Sequence, residues 1–216
     1  MVLYGQKISP PCSKIISILT HFGVKYTLVP SAKKESKYKK IPVLDIDGKQ
    51  INDSEIIAII LAKILDVEYD GRELEMERLN TRGLMLACEV AVMESNAELQ
   101  QCGCQLGGIP GCMMWIAPCI ITCCVKPGKK LRAKTPGLES VSSYAKQFAG
   151  FLGSKPYLHG DTLGAIDCSI FGVLNPFRLS KSIAFADFIL ADERLAAWHN
   201  RMLSEMISLA PSTPVV

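Results

Sequence analysis

The chain has 216 residues, 49% of them hydrophobic, with a formal net charge of +3 and nine cysteines. That length and apolar content suffice for one large packed domain or two modest ones. So small a charge, with no basic motif interleaved with aromatics, argues against nucleic acid as a partner, and an odd cysteine count with no secretory signal points to a reducing, cytoplasmic setting.

Residues 1–4 (Met1-Val2-Leu3-Tyr4) read as a strand. They run into the turn Ile8-Ser9-Pro10-Pro11-Cys12-Ser13-Lys14, which opens a helical pattern with Ile15, Ile16, Ile18 and Leu19. A strand, a Cys-bearing turn and a helix hold a reactive group where the helix dipole favours a thiolate or another anion. Residues 25–30 predict a second strand. The lysine-rich connection after it, with Lys33, Lys34, Lys37, Lys39 and Lys40, reads first as a solvated loop. Residues 43–51 predict two short strands joined by an Asp47-Gly48 turn. Residues 54–65 predict a helix, with Ile56, Ile57, Ile60, Leu61 and Ile64 forming a broad apolar stripe. The polar stretch 66–72 marks a boundary between a first domain, 1–66, and an all-helical second, 73–210.

In the second part, helical spacing predicts helices over 73–100, 138–152 and 166–174. The stretch 107–125 has no charge, two prolines, three glycines and Cys112, Cys119, Cys123 and Cys124, and the basic run Lys126, Lys129, Lys130, Arg132, Lys134 follows it. Nineteen uncharged residues barely reach the length of a membrane span, and prolines and glycines make a poor one. A buried helix with a solvated basic loop is the favoured reading, and peripheral association with an anionic membrane is the alternative. The cysteines form no paired C-x-x-C knuckles, so no metal site is expected.

Three motifs carry a resemblance: Ser9-Pro10-Pro11-Cys12-Ser13-Lys14, Tyr38-Lys39-Lys40-Ile41-Pro42-Val43-Leu44 and Ile51-Asn52-Asp53-Ser54. Together they resemble the glutaredoxin-like domain of glutathione transferases, and in particular the membrane-associated prostaglandin E synthase type 2 family. That family carries C-P-F-C-S-K, Y-[RK]-K-V-P-I-L and N-D-S at matching places, and the likeness covers residues 1–65. Lys155 to Asp161 and Ile166 to Leu174, with Asp167 inside, resemble a glutathione-transferase carboxy-terminal domain, except that Gly164 stands where Ser, Thr or Asn is usual. The fold implied is α/β plus all-α: a thioredoxin-like domain followed by a helical one. The resemblance further implies a homodimer, glutathione as cofactor, and a small hydrophobic or electrophilic substrate held between the domains. That family usually has an amino-terminal extension, whereas this chain starts in its first strand, which argues against an anchor at that end.

The resemblance also assigns roles. Pro42 would be cis, offering the backbone of Val43 to the cysteinyl part of glutathione; an ordinary trans proline is the plain alternative. Asp53 and Ser54 would take the γ-glutamyl end at a helix start, although both residue types also serve as simple caps. Lys40 is a candidate for a glutathione carboxylate. Where the family has its first Cys this chain has Ser9, and Cys12 matches the second. Ser9 therefore reads either as a hydrogen-bond donor to glutathione's thiolate or as the helix cap, with Cys12 the weaker candidate nucleophile. The function implied is glutathione-dependent isomerisation of the prostaglandin H endoperoxide. A serine-type glutathione transferase and a non-catalytic glutathione-binding module are the alternatives. The family also binds haem, but no residue here marks a haem ligand.

Overall fold

The structure, a computed structural model, describes residues 1–95 and 127–209. Strand β1 (Val2–Tyr4) leads into helix α1 (Pro10–His21), and the chain returns as β2 (Thr27–Val29), parallel to β1. A parallel return needs a crossover, and α1 supplies it. Strands β3 (Val43–Ile46) and β4 (Lys49–Asn52) form a hairpin. Its turn residues Asp47 and Gly48 both take positive φ, 51° and 82°, as this hand of two-residue turn requires. The sheet runs β2-β1-β3-β4, with β3 antiparallel to both neighbours.

Leu3 and Leu44 pair across β1 and β3 and are fully buried in one cluster with Ile15, Ile18 and Leu19 of α1. Ile57 and Leu61 of α2 (Ser54–Ile64) join them. Each such side chain contributes about 1.5–3 kcal/mol of burial. The stripe expected on α2 divides: Ile57 and Leu61 face the core, while Ile56 and Ile64 are half exposed. A helix lying on a sheet buries only one face, and α2 carries more isoleucine than that face can hold.

The helical part begins with α3 (Gly71–Leu79). Asp70 caps it by accepting from the Glu73 amide at 2.7 Å, while the Glu73 carboxylate accepts from the Asp70 amide at 3.1 Å, so the helix starts two residues before the expected 73. One π turn (Asn80–Leu84), closed by the Met85 amide on the Asn80 carbonyl, carries α3 into α4 (Met85–Glu94). Helicity stops at Glu94 rather than at 100, since Ser95 is extended; the rest of that expectation lies outside the described residues.

Then come α5 (Pro127–Lys134), α6 (Val141–Leu152), α7 (Ala165–Leu179), α8 (Ile183–Leu190) and α9 (Glu193–Leu209). The stretch 107–125, its cysteines and the choice between burial and a membrane for it also lie outside the described residues. Among the described residues, no helix is long and apolar enough to cross a membrane, and no cluster could hold a metal ion.

Asp167 folds the start of α7. Its buried carboxylate accepts from the amides of Leu158, His159 and Gly164 and from the Trp198 indole, at 2.7–3.1 Å. Burial pushes its pKa up and those four bonds pull it back. Gly164 replaces the usual capping side chain because the His159 ring lies where a Cβ would go.

Helices α1 and α7 join the two parts. A Cβ on Gly172 would lie 2.6 Å from Lys14 Cα and 2.7 Å from the Ser13 carbonyl oxygen, so only glycine lets these helices meet. Beside that contact, fully buried Lys14 donates to Glu77 of α3 at 2.6 Å and to Thr81 at 2.7 Å. Ser169 of α7 donates to the other Glu77 oxygen at 2.5 Å and accepts from Asn80 at 3.1 Å.

Candidate active site

The register of the sheet decides which residues share an end. β1 finishes at Tyr4, opposite Val43 where β3 begins, and Val43 pairs in turn with Asn52 where β4 finishes. The turn into α1 leaves from that same end. Ser9, Val43, Asp53 and Ser54, far apart in sequence, therefore converge on one edge of the sheet.

Ser9 occupies the N-cap position of α1 with extended backbone (φ −78°, ψ 122°), but its side chain makes no capping bond. Pro10 and Pro11 have no N–H to give. The next two amides, of Cys12 and Ser13, both donate to the Ser9 carbonyl at 2.9 and 2.8 Å. The first turn thus has no free backbone donor for an anion, and the half-buried Ser9 hydroxyl is the polar group it presents. That hydroxyl lies close enough to the thiol of Cys12 to favour its ionised form.

Cys12 is fully buried, with Sγ packed on Gly5, where a Cβ would lie only 2.5 Å away. Burial pushes its thiol pKa up, with the Ser9 hydroxyl and the Gln6 backbone opposing in part. A thiol that is hidden and hard to ionise is a poor nucleophile. Gly5 also neighbours Ile41, which links this turn to the next motif.

The Ile41–Pro42 peptide is cis and delivers the chain into Val43, which is buried at the start of β3. Asp53 has φ 72° and ψ 127°, outside the regions side-chain-bearing residues prefer, and carries of order 1–3 kcal/mol of strain. Its carboxylate caps α2 by accepting from the Glu55 amide at 2.9 Å, and the rest of it is exposed. Buried Ser54 opens α2 beside it. Lys40 is exposed two residues before Pro42.

Three further residues at this edge have no sequence signal. Tyr4 stands opposite Val43, with the Lys33 ammonium 5.5 Å from its ring centre. Lys33 also binds Asp45 at 2.5 Å, so the connection expected to be fully solvated packs onto the sheet at this lysine. Arg82, from the π turn, grips Glu55 with two bonds of 2.8 Å and feels the charge of Asp53. Only the three-dimensional path of the chain brings Arg82 to α2.

Residues 3–70 match a family model described as the glutathione S-transferase N-terminal domain. No curated protein matches the chain by sequence. Among solved structures, glutathione S-transferase III in apo form superposes with a TM-score of 0.63 at 17% identity, covering 100% of this chain and 97% of that one.

The chain has the glutathione S-transferase fold.

A glutathione S-transferase of Methylobacillus flagellatus with glutathione bound gives TM-score 0.61 at 18% identity, covering 97% of this chain and 98% of its own. Prostaglandin synthase D of Nilaparvata lugens gives 0.56 at 18%, covering 100% and 98%. In a glutathione S-transferase fold, the edge described above is the junction of strand ends and helix starts within the matched amino-terminal domain.

Proposed function

We propose that this edge binds glutathione and that the protein is a glutathione-dependent transferase or isomerase acting on a small hydrophobic electrophile. Ser9 is the observation that carries the reading: a hydroxyl at a helix start, unused in capping, on the same edge as a cis-proline strand and a helix opened by Asp53-Ser54. Asp53 and Ser54 receive the γ-glutamyl ammonium and carboxylate, the Val43 backbone holds the cysteinyl part, and exposed Lys40 reaches the far carboxylate. Asp53's strained backbone supports this, because such conformations concentrate at ligand clamps.

With no free amide in the first turn of α1, the hydrogen bond that holds the thiol of glutathione as thiolate comes from Ser9. Its O–H donates to the ligand's sulfur, which then attacks the electrophile. Cys12 stays beneath as packing.

The more specific form of the proposal, isomerisation of a prostaglandin endoperoxide, rests on the Tyr38–Leu44 and Asn52–Ser54 motifs. A conjugating transferase consumes one glutathione per turnover, whereas an isomerase returns it. Haem, implied by the family resemblance alone, would find no histidine ligand at this edge. His21 ends α1 far from Ser9, His159 is tied to Glu73 at 2.7 Å, and His199 is enclosed by rings, so the described histidines offer this edge no axial ligand. A non-catalytic glutathione-binding module is the second reading, favoured by the donors lost at Pro10 and Pro11. The domain limits 1–66 and 73–210, and a homodimer, complete the proposal.

Calorimetry with glutathione, followed by turnover of a generic electrophile and of an endoperoxide with glutathione consumption counted, tests the reading. Binding with turnover supports an enzyme, binding without turnover the module, and no binding at millimolar glutathione overturns both.

A further inference from the structure

Helix α1 turns two different faces to its neighbours. Ile15, Ile18 and Leu19 join Leu3 and Leu44 of the sheet in the apolar core. Toward α7 it presents buried Ser13, Lys14 and Ser17, and a Cβ on Gly172 would lie 2.8 Å from Ser17 Oγ as well as against Ser13 and Lys14. At this closest approach the backbones meet over small polar groups rather than over interlocking apolar side chains. Directional bonds lie beside it. Glu77 Oε1 accepts from Lys14 at 2.6 Å and from Thr81 at 3.0 Å, while Oε2 accepts from Ser169 at 2.5 Å. Thr81 also accepts from Lys14, and Ser169 from Asn80, so α1 is tied to α3, the π turn and α7 together. Apolar burial is non-directional and tolerates a small slip. Hydrogen bonds lose their strength outside about 2.7–3.2 Å, and a slip here would leave charge unpaired in a site closed to water.

We propose that this network sets the register of α1 against the helical part and, through it, the place of Ser9; Lys14 and Glu77 are positioning residues. Fixing a register is the best-attested use of a buried polar pair, whose net contribution to stability is small. Ser9 stands five residues before Lys14. At 1.5 Å per residue that is about 7.5 Å along one rigid helix, so a slip of α1 moves both alike. The inference rests on the glutathione reading of the edge. There the ligand's sulfur is held at Ser9, the electrophile approaches from the helical part, and attack requires the reacting atoms roughly 3–3.5 Å apart. Val43, Asp53 and Ser54 lie on β3 and at the start of α2, outside the network, so glutathione affinity does not depend on it.

Lys14→Met/Glu77→Leu tests it, because the variant removes the network's charges together and leaves none buried alone. Two measurements separate positioning from folding. In hydrogen exchange, which needs no turnover, the α1 amides exchange about tenfold faster relative to those of β1 and β3, at a denaturation midpoint close to that of wild type. With a generic electrophile kcat falls about 100-fold, the scale of a misplacement of about 1 Å, while the Kd of glutathione by calorimetry stays within about twofold. Ser169→Ala, which cuts only the tie to α7, moves both readouts the same way by a smaller factor and serves if the double variant does not fold. Exchange of α1 and kcat both at wild-type values in the folded variants overturn the proposal, as does a loss of glutathione affinity that explains the whole fall in turnover. A wild type without glutathione turnover sinks the transferase reading, and exchange alone then decides the register: a loosened α1 in the variants sustains it and an equally protected one overturns it.

Discussion

Ser9 sits at the N-cap of α1, yet its hydroxyl makes no capping bond and its carbonyl takes the first-turn amides. Replacing a capping serine by alanine costs about 0.5–2 kcal/mol. Because no cap bond exists here, Ser9→Ala should melt close to wild type. If Ser9 holds the thiolate, the same variant should lose turnover while keeping glutathione affinity; parallel melting and kinetics on one preparation check both halves. A large drop in melting temperature with turnover per folded molecule intact would return Ser9 to a structural role. Asp53→Ala should weaken glutathione by roughly 1–3 kcal/mol in calorimetry, through loss of a charged hydrogen-bond partner. Equal affinities would remove Asp53 from the site.

At the scale of the element, α9 carries a pH-sensitive group. His199 packs against Phe171, Phe185 and Trp198, its Nε2 buried without a partner. Burial first, and Arg178 second, lower its pKa from 6.5 to about 4. Between those values the unfolded chain takes up a proton that the folded chain refuses, so stability falls as pH falls from about 6.5 to about 4. Above that window the group contributes nothing, and the full loss is roughly 3 kcal/mol. Denaturant melts across the window should show His199→Phe losing less stability than wild type; parallel curves would contradict this. The elements of the first part were largely legible in the sequence, whereas the basic run expected as a solvated loop is helix α5, Pro127–Lys134. Strand, turn and helix could be read from Leu3 to Leu65 because alternation, Asp47-Gly48 and the Ser54 start are local signals. Helix ends were less so, since Asp70 extends α3 backwards by a capping box and a π turn leaves no mark on hydrophobic spacing.

Across the whole molecule, the buried Lys14–Glu77 pair ties the sheet to the helices. Glu77→Gln strands an ammonium in the core and should cost about 3–5 kcal/mol, whereas Lys14→Met/Glu77→Leu should recover most of it, because a fully apolar replacement leaves no buried charge. Chemical denaturation of the three proteins gives the comparison, and a double variant no better than Glu77→Gln would assign the loss to packing. This pair was not legible beforehand: Lys14 reads as one more residue of a turn motif, and nothing in the helical spacing marks Glu77. The candidate edge was legible at Val43, Asp53 and Ser54, whose motifs are contiguous. Arg82 and Tyr4 were not, because their relevance arises from where the chain passes.

The π turn has a consequence for insertions and deletions. Four successive residues there reach four helices: Asn80 to α7, Thr81 to α1, Arg82 to α2, and Gly83 to the Tyr144 ring of α6. Removing a single residue would let the backbone relax into an unbroken α-helix, a gain for the local ladder of hydrogen bonds. A π turn holds one residue more than an α turn, so that loss would leave α4 facing much as it does now. The cost would fall on the turn itself, which would have one residue too few to make all four reaches. The length of this helix is therefore as constrained as its sequence, and variation that loops tolerate freely is closed to it.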